Sequence, residues 1–187
     1  MRKHIPNMLT ILRFLIVPLF VYALFICDRA FAAYYALFFF VIASLTDYVD
    51  GSLARQWNVV SDFGKIMDPL ADKILVLSAL AGLVWMPPFH LSPVIFFVIL
   101  LRECSITILR EIFHHRGIVV AADKMGKLKT VMQMGGIIFA LGAWAFLPEI
   151  SDNLMLGINI WFWLVVGITV LSGMNYVKAL FPRRKSV

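Results

Sequence analysis

Five of the chain's eleven acidic residues, Asp47, Asp50, Asp62, Asp68 and Asp72, fall between positions 47 and 72. At 100° per residue, Asp47, Asp50, Gly51, Ala54 and Arg55 occupy about 140° of one helical face. Gly64, Asp68 and Asp72 repeat at i, i+4, i+8 and spread over about 80° of a second helix. The connection between the two is short, so they are expected to be antiparallel neighbours whose acidic stripes can face one another. Carboxylates gathered in this way repel unless a cation sits between them. Hard oxygen donors favour Mg²⁺ or Mn²⁺, which also bind phosphate oxygens. A pair of such ions about 3.5 to 4 Å apart would clamp a transferring phosphoryl group. Gly51 and Ala54 remove side-chain bulk beside that centre, and the planar fork of Arg55 suits a phosphate oxygen. Asp62 is read differently, as a first-turn carboxylate that complements a helix dipole. Taken singly, the other four could be interfacial acids paired with Arg55, Lys65 or Lys73; as two facing stripes they fit that reading badly.

The scaffold that must position them is apolar. The chain is 61% hydrophobic and 15% charged, with a mean hydropathy of +0.88, which lies outside the soluble globular range and points to an integral membrane protein. The fold class expected is all-α, a bundle of six transmembrane helices over about 8 to 27, 31 to 54, 62 to 86, 91 to 113, 125 to 147 and 154 to 180, forming one domain over 1 to 187. Breakers fall between the segments, at Asp28-Arg29, Trp57-Asn58, Pro87-Pro88, Gly117 to Asp123 and Pro148 to Asn153. The runs are too long for barrel strands, which would be about ten residues with alternating polarity.

Basic residues set the orientation. Arg2, Lys3, Arg13, Arg55, Lys65, Arg110, Arg116, Lys124, Lys127, Lys129, Lys178, Arg183, Arg184 and Lys185 collect on one side of a six-span topology, against Arg29 on the other. Both termini and the aspartate cluster are therefore expected to face the cytoplasm. The net charge of +6 reflects that asymmetry, and nucleic-acid binding is a poor competing reading because no soluble module presents a basic patch. Arg13 within the first apolar run and Asp28-Arg29 after it argue against a cleaved signal peptide. Cys27 and Cys104 lie in different segments and define neither a zinc site nor a disulfide framework.

A second polar group lies on the fourth helix. Arg102 and Glu103 interrupt an apolar run where an unpaired charge is expensive, so a paired or functional role is expected. Glu103, Thr107 and Arg110 share a face at i, i+4, i+7, and Lys124, Lys127 and Lys129 follow at the start of the fifth helix. Cations of this kind around a cytoplasmic cavity would suit a substrate that carries its own phosphate. Pro69 between Asp68 and Asp72 either kinks the third helix or is tolerated in its early turns.

The eight positions Asp47, Asp50, Gly51, Ala54, Arg55, Gly64, Asp68 and Asp72 match, in type and spacing, the signature of the CDP-alcohol phosphatidyltransferase family, which the chain resembles over most of its length. The resemblance implies transfer of a phosphatidyl or related group from a CDP-activated donor to an acceptor hydroxyl, with release of CMP. It implies that Asp47, Asp50, Asp68 and Asp72 hold two divalent cations, Mg²⁺ or Mn²⁺, that Asp72 also takes the acceptor proton, and that Gly51, Ala54 and Arg55 contact the CDP group. Ser61, Thr10 and Arg13 match places where the family also touches the nucleotide. The stretches IPNMLTILR and RECSITILREI, and GKLKT followed by Gln133, resemble the bacterial phosphatidylglycerophosphate synthase branch, which uses CDP-diacylglycerol and sn-glycerol 3-phosphate. By that similarity the acceptor phosphate is expected near Arg110, Lys127 and Lys129, with Arg102 and Glu103 beside them. A homodimer in the bacterial inner membrane, with the active site facing the cytoplasm, is implied in the same way. Serine, inositol phosphate or phosphatidylglycerol as acceptor remain alternatives. So does a cation transporter, although transporter sites usually lie near the midplane between inverted repeats.

Overall fold

A computed structural model describes residues 5–57, 62–115 and 124–180. Among these residues the chain is all-helical, with α1 (Ile5–Phe25), α2 (Arg29–Trp57), α3 (Asp62–Trp85), α4 (Pro93–His115), α5 (Lys124–Phe146) and α6 (Asp152–Leu180), and no strand. The expected segments coincide with these helices, and the ends are set by local chemistry. Pro93 starts α4, where its missing N–H costs nothing. The hydroxyl of Ser151 accepts from the backbone N–H of Leu154 at 3.4 Å and Asp152 lies in the first turn of α6, so that end carries both a cap and a dipole-complementing charge. Helix α3 continues through Pro69 to Trp85. Between α3 and α4 the Pro87-Pro88 peptide is cis and His90 has φ 45°.

The helices form two compact units. The first comprises residues 1–90 and 137–150, the second 91–136 and 151–187. In the first unit α1 packs on both α2 and α3, and α2 touches α3. The seam is lined by Ala32, Ala33, Ala36, Phe40 and Ala43 of α2, by Phe20, Ala23 and Leu24 of α1, and by Ala71, Leu75 and Ala79 of α3. Phe20 and Phe40 meet with ring centroids 5.7 Å apart. The run of alanines lets helix backbones approach closely, which is how apolar helices associate when water exclusion does not drive them together.

In the second unit α4 packs on α6. Ile95, Ile99, Ile106 and Phe113 are buried on α4, and Ile158, Phe162, Val165 and Val166 on α6. The register of α5 against α6 is fixed by Trp161, whose indole N–H donates to the carbonyl of Met132 at 3.0 Å.

Helices 124–146 and 152–174 are long and apolar enough to cross a membrane. Large apolar side chains also face outward along every helix, among them Leu15, Leu45, Ile74, Leu101, Phe139 and Leu171.

Candidate active site

The first unit holds Asp47 on α2, Asp72 on α3 and Arg13 on α1. Nη1 of Arg13 donates to Oδ1 of Asp47 at 2.9 Å, with the arginine side chain 1% exposed and the aspartate 45%. A guanidinium is kept inside an apolar helix pair only with an anionic partner, because desolvating it alone costs several kcal/mol. Nearby hydroxyls are used locally: Ser44 donates to the carbonyl of Phe40 at 2.7 Å and Thr46 to those of Ile42 and Ala43 at 2.9 and 2.8 Å. Asp72 is half-buried, one residue beyond the fully buried Ala71. Carboxylates on packed helices, one of them anchored and still open to solvent, are the donor set that suits a hard divalent cation.

Of the residues expected at this centre, Ser61 lies outside the described residues, as do the side chains of Thr10, Asp50, Ala54, Arg55 and Asp68; the surroundings of Gly51 are also outside them. Among the described residues no three metal-capable side chains cluster. Arg13, expected at the nucleotide, pairs with a carboxylate of the acidic stripe.

The second unit contains a polar network across three helices. On α4, Nη1 of Arg102 donates to Oε1 of Glu103 at 3.0 Å, and its Nη2 donates to the hydroxyl of Ser172 on α6 at 2.8 Å. Ser172 in turn donates to the carbonyl of Thr169 at 3.0 Å. Lys129 of α5, 4% exposed, donates to the same Glu103 oxygen. The trio carries one more cation than anion, and each charge has an ionic partner within it, which is what makes its burial affordable. The pairing expected of Arg102 and Glu103 is therefore present.

The structure brings Arg102 and Lys129 together around Glu103 and leaves Lys127 exposed elsewhere on α5. Positions 127 and 129 are about 200° apart on a helix, so the two lysines leave α5 in different directions. The side chain of Arg110 lies outside those described.

Sequence reasoning did not single out Ser172 and Thr169. Their i, i+3 spacing within α6 was available as a signal, but hydroxyls in apolar helices commonly bond their own backbone, so spacing alone does not mark them.

The model of the CDP-alcohol phosphatidyltransferase family matches residues 3–173. A Rickettsia typhi protein named CDP-diacylglycerol--glycerol-3-phosphate 3-phosphatidyltransferase is 34% identical over 179 residues, covering 95% of this chain and 97% of its own length. A Bacillus subtilis protein of the same name is 33% identical over 195 residues, with 92% and 93% covered. A Mycoplasma genitalium protein of that name is 37% identical over 144 residues, which is 77% of this chain and 57% of the longer relative.

Proposed function

The chain belongs to the CDP-alcohol phosphatidyltransferase family and is a transferase, and from that premise we propose that it moves the phosphatidyl group of CDP-diacylglycerol onto sn-glycerol 3-phosphate, giving phosphatidylglycerophosphate and CMP. The observation that carries the reading is the complete aspartate signature, whose two described carboxylates, Asp47 and Asp72, lie on helices that pack together. The names of the curated relatives support the donor and acceptor.

In the reaction, the acceptor hydroxyl forms a new P–O bond to the phosphorus that carries diacylglycerol, its proton passes to the carboxylate of Asp72, and the P–O bond to CMP breaks with the electron pair leaving on CMP. No covalent enzyme intermediate is required. Asp47, Asp50, Asp68 and Asp72 would hold the divalent cations, Mg²⁺ or Mn²⁺, which when bound neutralise the diphosphate and the departing CMP. Arg13 keeps Asp47 in one orientation. Gly51, Ala54, Arg55, Ser61 and Thr10 receive the CDP group, a role that rests on the family signature. Arg102 and Lys129 bind the acceptor phosphate, supported by their burial and shared carboxylate, and Arg110 and Lys127 are assigned with them on the sequence motif alone.

The apolar outward faces of all six helices and the two membrane-length helices support a multi-pass protein. The distribution of basic residues supports cytoplasmic termini and a cytoplasm-facing site in the bacterial inner membrane. The match over 3–173 supports one functional domain, and family resemblance supports a homodimer.

The test is CMP release by the detergent-purified chain from CDP-diacylglycerol with glycerol 3-phosphate, serine, inositol or inositol phosphate. Release with glycerol 3-phosphate alone is expected. Release with serine or an inositol compound instead would keep the reaction class and refute the acceptor.

A further inference from the structure

The helix α5 presents Gly126, Lys129, Gln133 and Gly136 within about 80° of arc. Three of these are placed by contacts. A Cβ at Gly126 would stand 3.9 Å from Nη2 of Arg102, Lys129 donates to Glu103, and a Cβ at Gly136 would meet Trp161 and Phe162 of α6. Gln133 therefore lies on the face of α5 that carries Lys129, one turn away, and it is 1% exposed. Among the described residues neither its amide N–H nor its amide oxygen has a hydrogen-bond partner. The hydroxyl of Thr169, 0% exposed and one turn from Ser172 on the buried face of α6, is in the same condition. A buried amide left unbonded is destabilising, and a native interior rarely tolerates it without a use.

The chemistry of these groups is selective. A primary amide offers a donor and an acceptor side by side, and a hydroxyl does the same. Their natural complement is an alcohol, which needs both, rather than an ammonium, which only donates, or a carboxylate, which only accepts. Lys129 lies four residues before Gln133 on α5, about 6 Å of helix rise, which is the length scale of a short phosphorylated polyol.

We propose that Gln133, assisted by Thr169, is the specificity-determining residue that binds the non-reacting secondary hydroxyl of a polyol phosphate acceptor whose phosphate rests on Lys129 and Arg102. This inference rests on the acceptor class proposed above and adds how that class is chosen. A site built to hydrogen-bond a hydroxyl rejects an analogue lacking it strongly, because the site's own polar groups are then stranded.

The experiment compares sn-glycerol 3-phosphate with 3-hydroxypropyl phosphate, which keeps the primary hydroxyl and the phosphate and lacks the secondary hydroxyl. CMP release is measured for the wild-type chain, Gln133→Met and Thr169→Val, together with thermal unfolding. The wild type is expected to prefer glycerol 3-phosphate by about 100-fold or more in kcat/KM. Gln133→Met is expected to bring that ratio down at least tenfold, with KM for CDP-diacylglycerol unchanged and the unfolding temperature held or raised, because an apolar side chain replaces an unbonded polar one. Thr169→Val is expected to move the ratio in the same direction by less. A structural role would instead lower the unfolding temperature and reduce the rates with both acceptors equally, leaving the ratio intact, and that result overturns the inference. Should Gln133→Met not fold, the expectation that it keeps or gains stability has failed, and an unchanged ratio in Thr169→Val then overturns the assignment. A wild type that uses serine but neither phosphate ester would overturn the proposed acceptor and this inference with it, whereas an unchanged ratio in active variants overturns this inference alone.

Discussion

Replacing Lys129 by Met tests the acceptor site with the least collateral damage. Lys129 is buried and donates to Glu103, and Met keeps most of its unbranched stem while removing the charge. The cost to folding is limited, since Glu103 keeps Arg102 at 3.0 Å; we expect about 1 to 2 kcal/mol, below the 3 to 5 kcal/mol that follows when a buried charge is stranded outright. The cost to acceptor binding is larger in relative terms. A hydrogen bond to a charged group contributes about 1.5 to 3 kcal/mol, and at about 1.4 kcal/mol per tenfold that corresponds to a loss of about 10- to 150-fold in kcat/KM for glycerol 3-phosphate. CMP release is measured with each substrate varied in turn. The KM for CDP-diacylglycerol should stay within about twofold of wild type, because uniform loss of one substrate's binding does not touch the other's. Combining the change with Glu103→Gln should give a non-additive result, as expected of residues sharing one hydrogen-bonded group. Equal rises in both KM values, or no change for the acceptor, would refute the assignment of Lys129 to the acceptor phosphate.

Asp72→Asn should abolish turnover while CDP-diacylglycerol binding stays measurable, and a retained rate removes Asp72 as the base. Arg13→Lys should raise the Mg²⁺ concentration needed for half-maximal CMP release about tenfold, since partners that orient a ligating carboxylate are typically worth 10- to 100-fold in metal affinity or activity. A raised KM for CDP-diacylglycerol with an unchanged Mg²⁺ requirement would return Arg13 to the nucleotide. Gly136→Ala would place a Cβ 2.6 Å from Nε1 of Trp161 and disturb that residue's bond to Met132. Overpacking of about 1 to 3 kcal/mol outweighs the gain of about 1 kcal/mol in helix propensity, so the unfolding temperature should fall; a rise would show that Trp161 swings away without cost.

The helices were legible because apolar runs of membrane length, broken at Pro, Gly and Asn positions, leave few alternatives. Their ends were less so. Hydropathy placed the end of α2 near Ala54, whereas the helix runs to Trp57, since a polar last turn keeps its backbone bonds while losing its apolar signal. The signature singled out Asp47 and Asp72 as candidates from spacing alone. Spacing could not show that Arg13 reaches Asp47 or that Lys129 reaches Glu103, because each pair joins residues distant in sequence, and which turn of one helix faces which turn of another is decided by packing. Gln133 was visible as part of a motif, but its burial and unbonded amide became apparent only once α5 was set against α4 and α6.

The central claim is tested most directly by following phosphorus-31 signals of the detergent-purified chain incubated with CDP-diacylglycerol and glycerol 3-phosphate, first with a chelator and then with excess Mg²⁺. No conversion under chelation, followed by appearance of phosphatidylglycerophosphate and CMP in equal amounts once Mg²⁺ is added, is the predicted result. Conversion at an undiminished rate under chelation, or CMP accompanied by phosphatidic acid in place of phosphatidylglycerophosphate, would contradict it.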